Sequence, residues 1–132
     1  MLSDNEYHVI IYENVRYISE HIKYEQVVYI DNKFRETFLK KPFPRDLILE
    51  YIKYICVQID KNKTFDDKNI LCIFIAIYNL IIKYYIDVSV YNIDICNYFE
   101  VDIKIFNEIE MNILKLLDFN LNFVNIEKWI EI

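Results

Sequence analysis

Between Ile70 and Ile82 the chain carries no charged residue, and this segment limits the possible folds more than any other. It is shorter than the ~20 apolar residues a membrane-spanning helix needs and is interrupted by Asn79, so a bilayer span is not expected. Wound as a helix, Ile70 to Ile77 is apolar on every side, and a helix without a polar face must be enclosed by others. Its β-branched residues would also suit a buried strand, but the strand–helix alternation of a parallel sheet is missing from the chain. The expectation is a helical bundle whose central, fourth helix runs from Asn69 to about Ile86, with Asp66 or Asp67 as its cap.

The flanking sequence supplies the enclosing helices. Ile11, Val15, Ile18 and Ile22 recur at spacings of four, three and four, which predicts a first helix from Asp4 to about Lys23. Val27, Ile30, Phe34 and Phe38 continue that period in a second helix ending before Lys40 and Lys41, cations suited to a helix C-terminus. The two could equally be one bent helix. Pro44-Arg45-Asp46 reads as a helix start, followed by a stripe of Ile48, Tyr51, Ile52, Ile55 and Ile59 that ends at Asp60-Lys61-Asn62. A short fifth helix from about Ile93 to Phe99 follows Asn92 as its cap. The sixth runs from Asp102 to Leu117, with Phe106, Ile109, Ile113 and Leu116 inward and Asn107, Glu108, Asn112 and Lys115 outward.

Composition narrows the function. The 132 residues fit one domain of ordinary size. A hydrophobic fraction of 55% with 27% charged residues excludes disorder. The chain contains no glycine, so phosphate-cradling loops and dinucleotide fingerprints have no residue to build them, which removes kinase, GTPase and Rossmann readings. Net charge is −6 and the cations are scattered, so no basic face exists to collect nucleic-acid phosphates. Cys56, Cys72 and Cys96 lie far apart among apolar neighbours and are expected to be reduced, buried thiols of an intracellular protein. The start, MLSDNEYH, lacks the basic and apolar regions of a secretory signal.

Little in the chain suits catalysis. His8 and His21 sit on an amphipathic helix without a second ligand at metal spacing, so surface or internally satisfied histidines are expected rather than a metal pair. Glu108 with Glu110, and Asp66 with Asp67, are neighbouring acids whose ordinary role is solvated charge. The many tyrosines lack interleaved cations and suit core and interface contacts better than base stacking. No enzyme, cofactor, metal or small-molecule substrate is expected. Two charges stand apart from the polar faces: Lys83 closes the apolar run, and Glu110 interrupts the inward stripe of the last helix. A salt bridge between them, or a snorkelling side chain, is the ordinary use of such residues.

A buried helix ending in Lys83, a short helix, and a last helix whose Glu110 precedes Leu116-Leu117-Asp118-Phe119-Asn120-Leu121 resemble a cyclin box. The segment from Ile70 to Phe123 is similar to its last three helices without a gap. Ile82-Lys83-Tyr84-Tyr85-Ile86-Asp87 resembles the Ala-Ser-Lys, aromatic and acidic ending of the central cyclin helix. Phe106-Asn107-Glu108-Ile109-Glu110, with the Leu-Leu-Asp-Phe-Asn-Leu that follows, resembles the phosphate-signalling, or P-type, branch. Pro44 with Ile48 to Tyr54 is similar to the entry of an early box helix, in more than one register.

The resemblance implies an all-α, cyclin-like five-helix bundle around a buried central helix, with an extra N-terminal helix. It divides the chain into an N-terminal helix (1–23), a single cyclin-box-like domain (24–123) and a short C-terminal tail (124–132). It implies no active site, and a regulatory subunit that binds and activates a cyclin-dependent protein kinase in the cytoplasm or nucleus. In that interface Lys83 would donate to kinase backbone carbonyls and Glu110 accept from kinase backbone N–H groups. Tyr84, Leu114, Phe119 and Leu121 would supply apolar contacts. The Met-Arg-x-x-Leu docking patch of cell-cycle cyclins has no counterpart in Glu25-Gln26-Val27-Val28-Tyr29. A second expectation is a helical interaction module of another class, such as a virus-encoded apoptosis-regulator-like bundle whose groove receives an amphipathic helix. Those bundles usually carry glycine at the groove, and this chain has none.

Overall fold

The first helix begins where the side chains can answer the free N–H groups of its first turn. Ser3 Oγ accepts from the backbone N–H of Glu6 at 3.1 Å, and Glu6 Oε1 accepts in return from the Ser3 N–H at 3.2 Å, a reciprocal cap worth about 1 kcal/mol. The computed structural model describes residues 2–38, 45–62, 65–86 and 90–118. Among them are six α-helices and no strand: α1 (Asp4–Arg16), α2 (Tyr24–Lys33), α3 (Arg45–Asn62), α4 (Ile70–Ile81), α5 (Asn92–Phe99) and α6 (Ile103–Leu116). The protein is an all-α bundle. Expectations placed on Lys40, Lys41, Pro44, the Phe38 side chain and the tail 124–132 fall outside the described residues.

Helix α1 stops at Arg16, short of the expected Lys23, and α2 is a separate helix. Ser19 provides the reason: its buried hydroxyl accepts from the His21 backbone N–H at 3.1 Å, a local side-chain bond that competes with helical pairing. The stripe survives the break, because Ile22 is still buried. Beyond α2, the chain widens into a π-helical turn, Phe34–Phe38, and Phe34 remains in the core. In α3 the predicted stripe of Ile48, Tyr51, Ile52, Ile55 and Ile59 is buried throughout.

Asp66 Oδ1 accepts from the Lys68 N–H at 3.0 Å and opens a short 3₁₀ turn, Asp67–Asn69, that leads into α4. Every residue of α4 is buried except Leu71, which is half-buried. Its enclosure comes from α3 and α6 packed along it and from Phe34, whose ring stacks on Tyr78 at 4.5 Å between centroids. Helix α4 also ends in a π turn, Ile82–Ile86, which holds Lys83 and Tyr84. Helix α1 packs on α2 and α3, and α5 on α6.

The N-cap of α5 is Tyr91, not Asn92. Asn92 is the first helical residue, and its carboxamide is used elsewhere, as described below. At the other end Glu100 takes the left-handed conformation, with φ 57°, and the Val101 N–H reaches the Cys96 carbonyl at 3.0 Å. This is the helix stop that glycine usually serves, imposed here on a residue with a Cβ. Asp102 caps α6 by accepting from the Lys104 and Ile105 N–H groups at 2.8 and 3.1 Å. Phe106, Ile109 and Ile113 face inward as the spacing predicts, whereas Leu116 is half-buried and Leu117 takes the buried position beside it.

Two outcomes follow. Ala76 has no exposed surface, and an unpaired carboxylate there costs several kcal/mol, on the order of the whole stability of a domain. Ala76→Glu is expected to abolish the cooperative unfolding transition measured by circular dichroism. Glu100→Gly removes the Cβ from a left-handed position and is expected to stabilise by about 0.5–1 kcal/mol, read as a melting temperature raised by roughly 2–5 °C.

Candidate functional site

Tyr78 and Asn79, consecutive on α4, each anchor a polar network, one around a fully buried carboxylate and the other around a partly exposed charge pair. The Tyr78 hydroxyl donates to Asp31 Oδ1 at 2.6 Å, and His8 Nε2 lies 2.7 Å from Asp31 Oδ2. Arg35 Nε approaches the same oxygen at 3.3 Å. Its guanidinium lies 4.9 Å from the ring centroid of Tyr7, a cation–π contact. Asp31 is completely buried, so a buried carboxylate is compensated by one arginine and two hydrogen bonds, as its burial requires. Burial pushes the Tyr78 phenol well above its ordinary range, so it remains a donor. This network joins α1, α2 and α4. His8 is therefore internally satisfied. His21 is exposed, 3.8 Å from Asp67.

The second network opens to the surface. Lys83, in the π turn after α4, contacts both carboxylate oxygens of Glu110 on α6 at 3.3 Å and donates to Asn92 Oδ1 on α5. Asn92 Nδ2 donates to Glu110 Oε1 at 3.1 Å and to Asn107 Oδ1 at 2.8 Å. Asn79 Nδ2, fully buried beneath, donates to Glu110 Oε2 at 2.9 Å and to Asn92 Oδ1 at 3.1 Å. Each Glu110 oxygen thus has two donors, which fills a carboxylate's capacity of about four hydrogen bonds. The Lys83 side chain is 23% exposed and that of Glu110 12% exposed. An ammonium has three N–H donors, and Glu110 Oε1, Glu110 Oε2 and Asn92 Oδ1 offer it three acceptors. The arrangement holds a charge pair at the surface, and its five members include no thiol or hydroxyl nucleophile.

The cysteines do not supply one. Burial pushes the Cys56 thiol up to about 12 and those of Cys72 and Cys96 up to about 11, so all three are protonated at neutral pH and inert as nucleophiles. All three are free and buried. Among the described residues no group of three or more His, Cys, Asp or Glu is placed to hold a metal ion, and no helix is long and apolar enough to cross a membrane.

No family model, curated protein or solved structure matches the chain. The site stands on its own geometry.

Of the residues expected to meet a partner, Lys83 and Glu110 are together. Tyr84 is 55% exposed beside them in sequence, and Leu114, one turn beyond Glu110, is 8% exposed. Phe119 and Leu121 lie outside the described residues. Sequence reasoning passed over the three asparagines and Asp31 as site residues. Spacing could have found two of the asparagines: Asn79 and Lys83 are four apart, and Asn107 and Glu110 three apart, so each pair shares a helix face, whereas Asn92 lies on a different helix from both charges. Asp31 falls at the same spacing, on the stripe of Val27 and Phe34.

Asp31→Ala leaves the His8 and Tyr78 donors facing a void and Arg35 without its counter-ion. Breaking a buried pair by removing one partner costs about 3–5 kcal/mol, and the urea midpoint of the variant is expected to fall accordingly. Unchanged stability would show that the network does not hold the three helices together.

Proposed function

We propose that this chain is a cyclin-like regulatory subunit that binds a cyclin-dependent protein kinase and favours its active arrangement. The observation that carries the reading is the 3.3 Å contact of Lys83 with Glu110 at the surface. It brings together from two helices the donor and acceptor that a cyclin offers to kinase backbone. Exposed Tyr84 next to the lysine supports the same surface as an interface, since aromatic residues are enriched there. In this reading a kinase carbonyl takes over an N–H that Lys83 gives to Glu110 or Asn92 in the free chain, and kinase backbone N–H groups take over donor positions on Glu110. Activation is then a population shift: the kinase arrangement that binds better is favoured, tenfold for every ~1.4 kcal/mol of difference. Such a partner places the chain in the cytoplasm or nucleus.

A second reading, a helical module of another class that receives an amphipathic helix, has one observation in its favour. An apolar groove of about 300 Å³ lies between α2, α4 and α5, lined by Tyr29, Ile30, Leu71, Ile75 and Phe99, with Glu25 at its edge. Such a groove suits helix-in-groove recognition.

Affinity capture followed by identification of the bound proteins separates the two, since the first requires a cyclin-dependent kinase and the second a helical peptide segment. With the kinase in hand, Lys83→Ala and Glu110→Ala are each expected to weaken binding by about 2–5 kcal/mol, thirtyfold or more in Kd. Unchanged affinity in both variants, measured by calorimetry, would remove the pair from the interface.

A further inference from the structure

We propose that Asn92 is the positioning residue of this site, presetting Lys83 and Glu110 as a single donor–acceptor pair before a partner arrives. The proposal rests on the kinase-binding reading for its consequence in affinity, but not for its consequence in the free chain.

The argument is geometric. A lysine has a long, flexible stem, and an exposed ion pair holds such a side chain only weakly. Here the ammonium is held from two directions, by Glu110 and by Asn92 Oδ1. The other end of the same carboxamide donates to Glu110 Oε1 and to Asn107. One planar group thus contacts both charges of the pair, and Asn79 and Asn107 contact it in turn. An amide suits this position because it presents an acceptor toward the cation and donors toward the anion. A carboxylate there would face Glu110 with like charge, and a lysine or arginine would face Lys83 with like charge. Asn92 is also the first residue of α5, a position on a rigid element, and it is freed for this role because Tyr91 serves as the N-cap. The cost of ordering a rotamer-rich side chain at an interface is met within the chain when that side chain is already fixed.

The test uses the full chain in two measurements. In the free protein, ¹⁵N-lysine labelling should show the Lys83 ammonium as a resolved, slowly exchanging NMR signal that Asn92→Ala abolishes. Asn92→Ser, which keeps one donor and one acceptor on a shorter side chain, should retain it in part. Against a cyclin-dependent kinase that binds the wild-type chain, Asn92→Ala should raise Kd about five- to tenfold. In a Lys83→Ala background the same change should have almost no further effect, because Asn92 acts through Lys83.

An ammonium signal unaltered by Asn92→Ala would overturn the positioning role. So would a loss of affinity that is fully additive with Lys83→Ala. If no cyclin-dependent kinase binds the wild-type chain, the functional reading fails, and the ammonium measurement alone then decides the role of Asn92. An unfolded Asn92→Ala chain, detected by circular dichroism, would make the residue a determinant of the fold and likewise end the proposal, and Asn92→Ser provides the folded control.

Discussion

The structure depends on the enclosure of one helix that has no face for water. All of α4 except Leu71 is buried, and burying apolar surface contributes roughly 25 cal/mol per Å². The other helices are arranged to provide that burial. Helices α3 and α6 lie against it, and Phe34 stacks on Tyr78 from the end of α2. The distribution of polar residues follows from the same constraint, since any hydrogen-bonding group on α4 must find its partners inside the protein.

Two such groups, Tyr78 and Asn79, are consecutive, and successive residues of a helix point about 100° apart. One is directed toward α2 and the other toward α5 and α6. Tyr78 meets Asp31, which draws in His8 and Arg35 and produces a junction of three helices around a buried carboxylate. Asn79 meets Glu110 and Asn92, which lie nearer the surface, and there the network ends in a partly exposed lysine. The first network joins three helices around Asp31, which has no exposed surface, and reaches solvent only through Arg35 among its charged groups. The second holds a partly exposed charge pair at the surface. Adjacent residues of one central helix thus anchor an interior network and a surface one.

Much of the architecture was legible before any coordinate was known, because helical periodicity is a local property. The stripe of α3, the inward positions Phe106, Ile109 and Ile113 of α6, and the burial of Ile70 to Ile82 follow from spacing alone. The structure departs from the periodicity where a side chain's partner decides the outcome. Helix α1 ends early because the Ser19 hydroxyl bonds the backbone of His21. Asn92 does not cap α5 because its amide is engaged by Lys83, Asn79, Glu110 and Asn107. Glu100 adopts a left-handed conformation that the sequence does not advertise, in a chain without glycine to mark the turn.

For the candidate site the division is sharper. Composition and pattern by themselves determined that this is an all-α chain built around residues 70–82, that Lys83 and Glu110 sit at the margins of apolar stripes, and that no glycine is present to build a phosphate-cradling loop. Those are consequences of residue type and of spacing within one element. Only the tertiary structure decided that Lys83 and Glu110 touch, that Asn79, Asn92 and Asn107 surround them, and that Asp31 is buried against His8, Tyr78 and Arg35. Each of these contacts joins residues on different helices. Helical periodicity sets which face a side chain occupies but not which neighbour meets it, and that choice is made when the helices pack around α4.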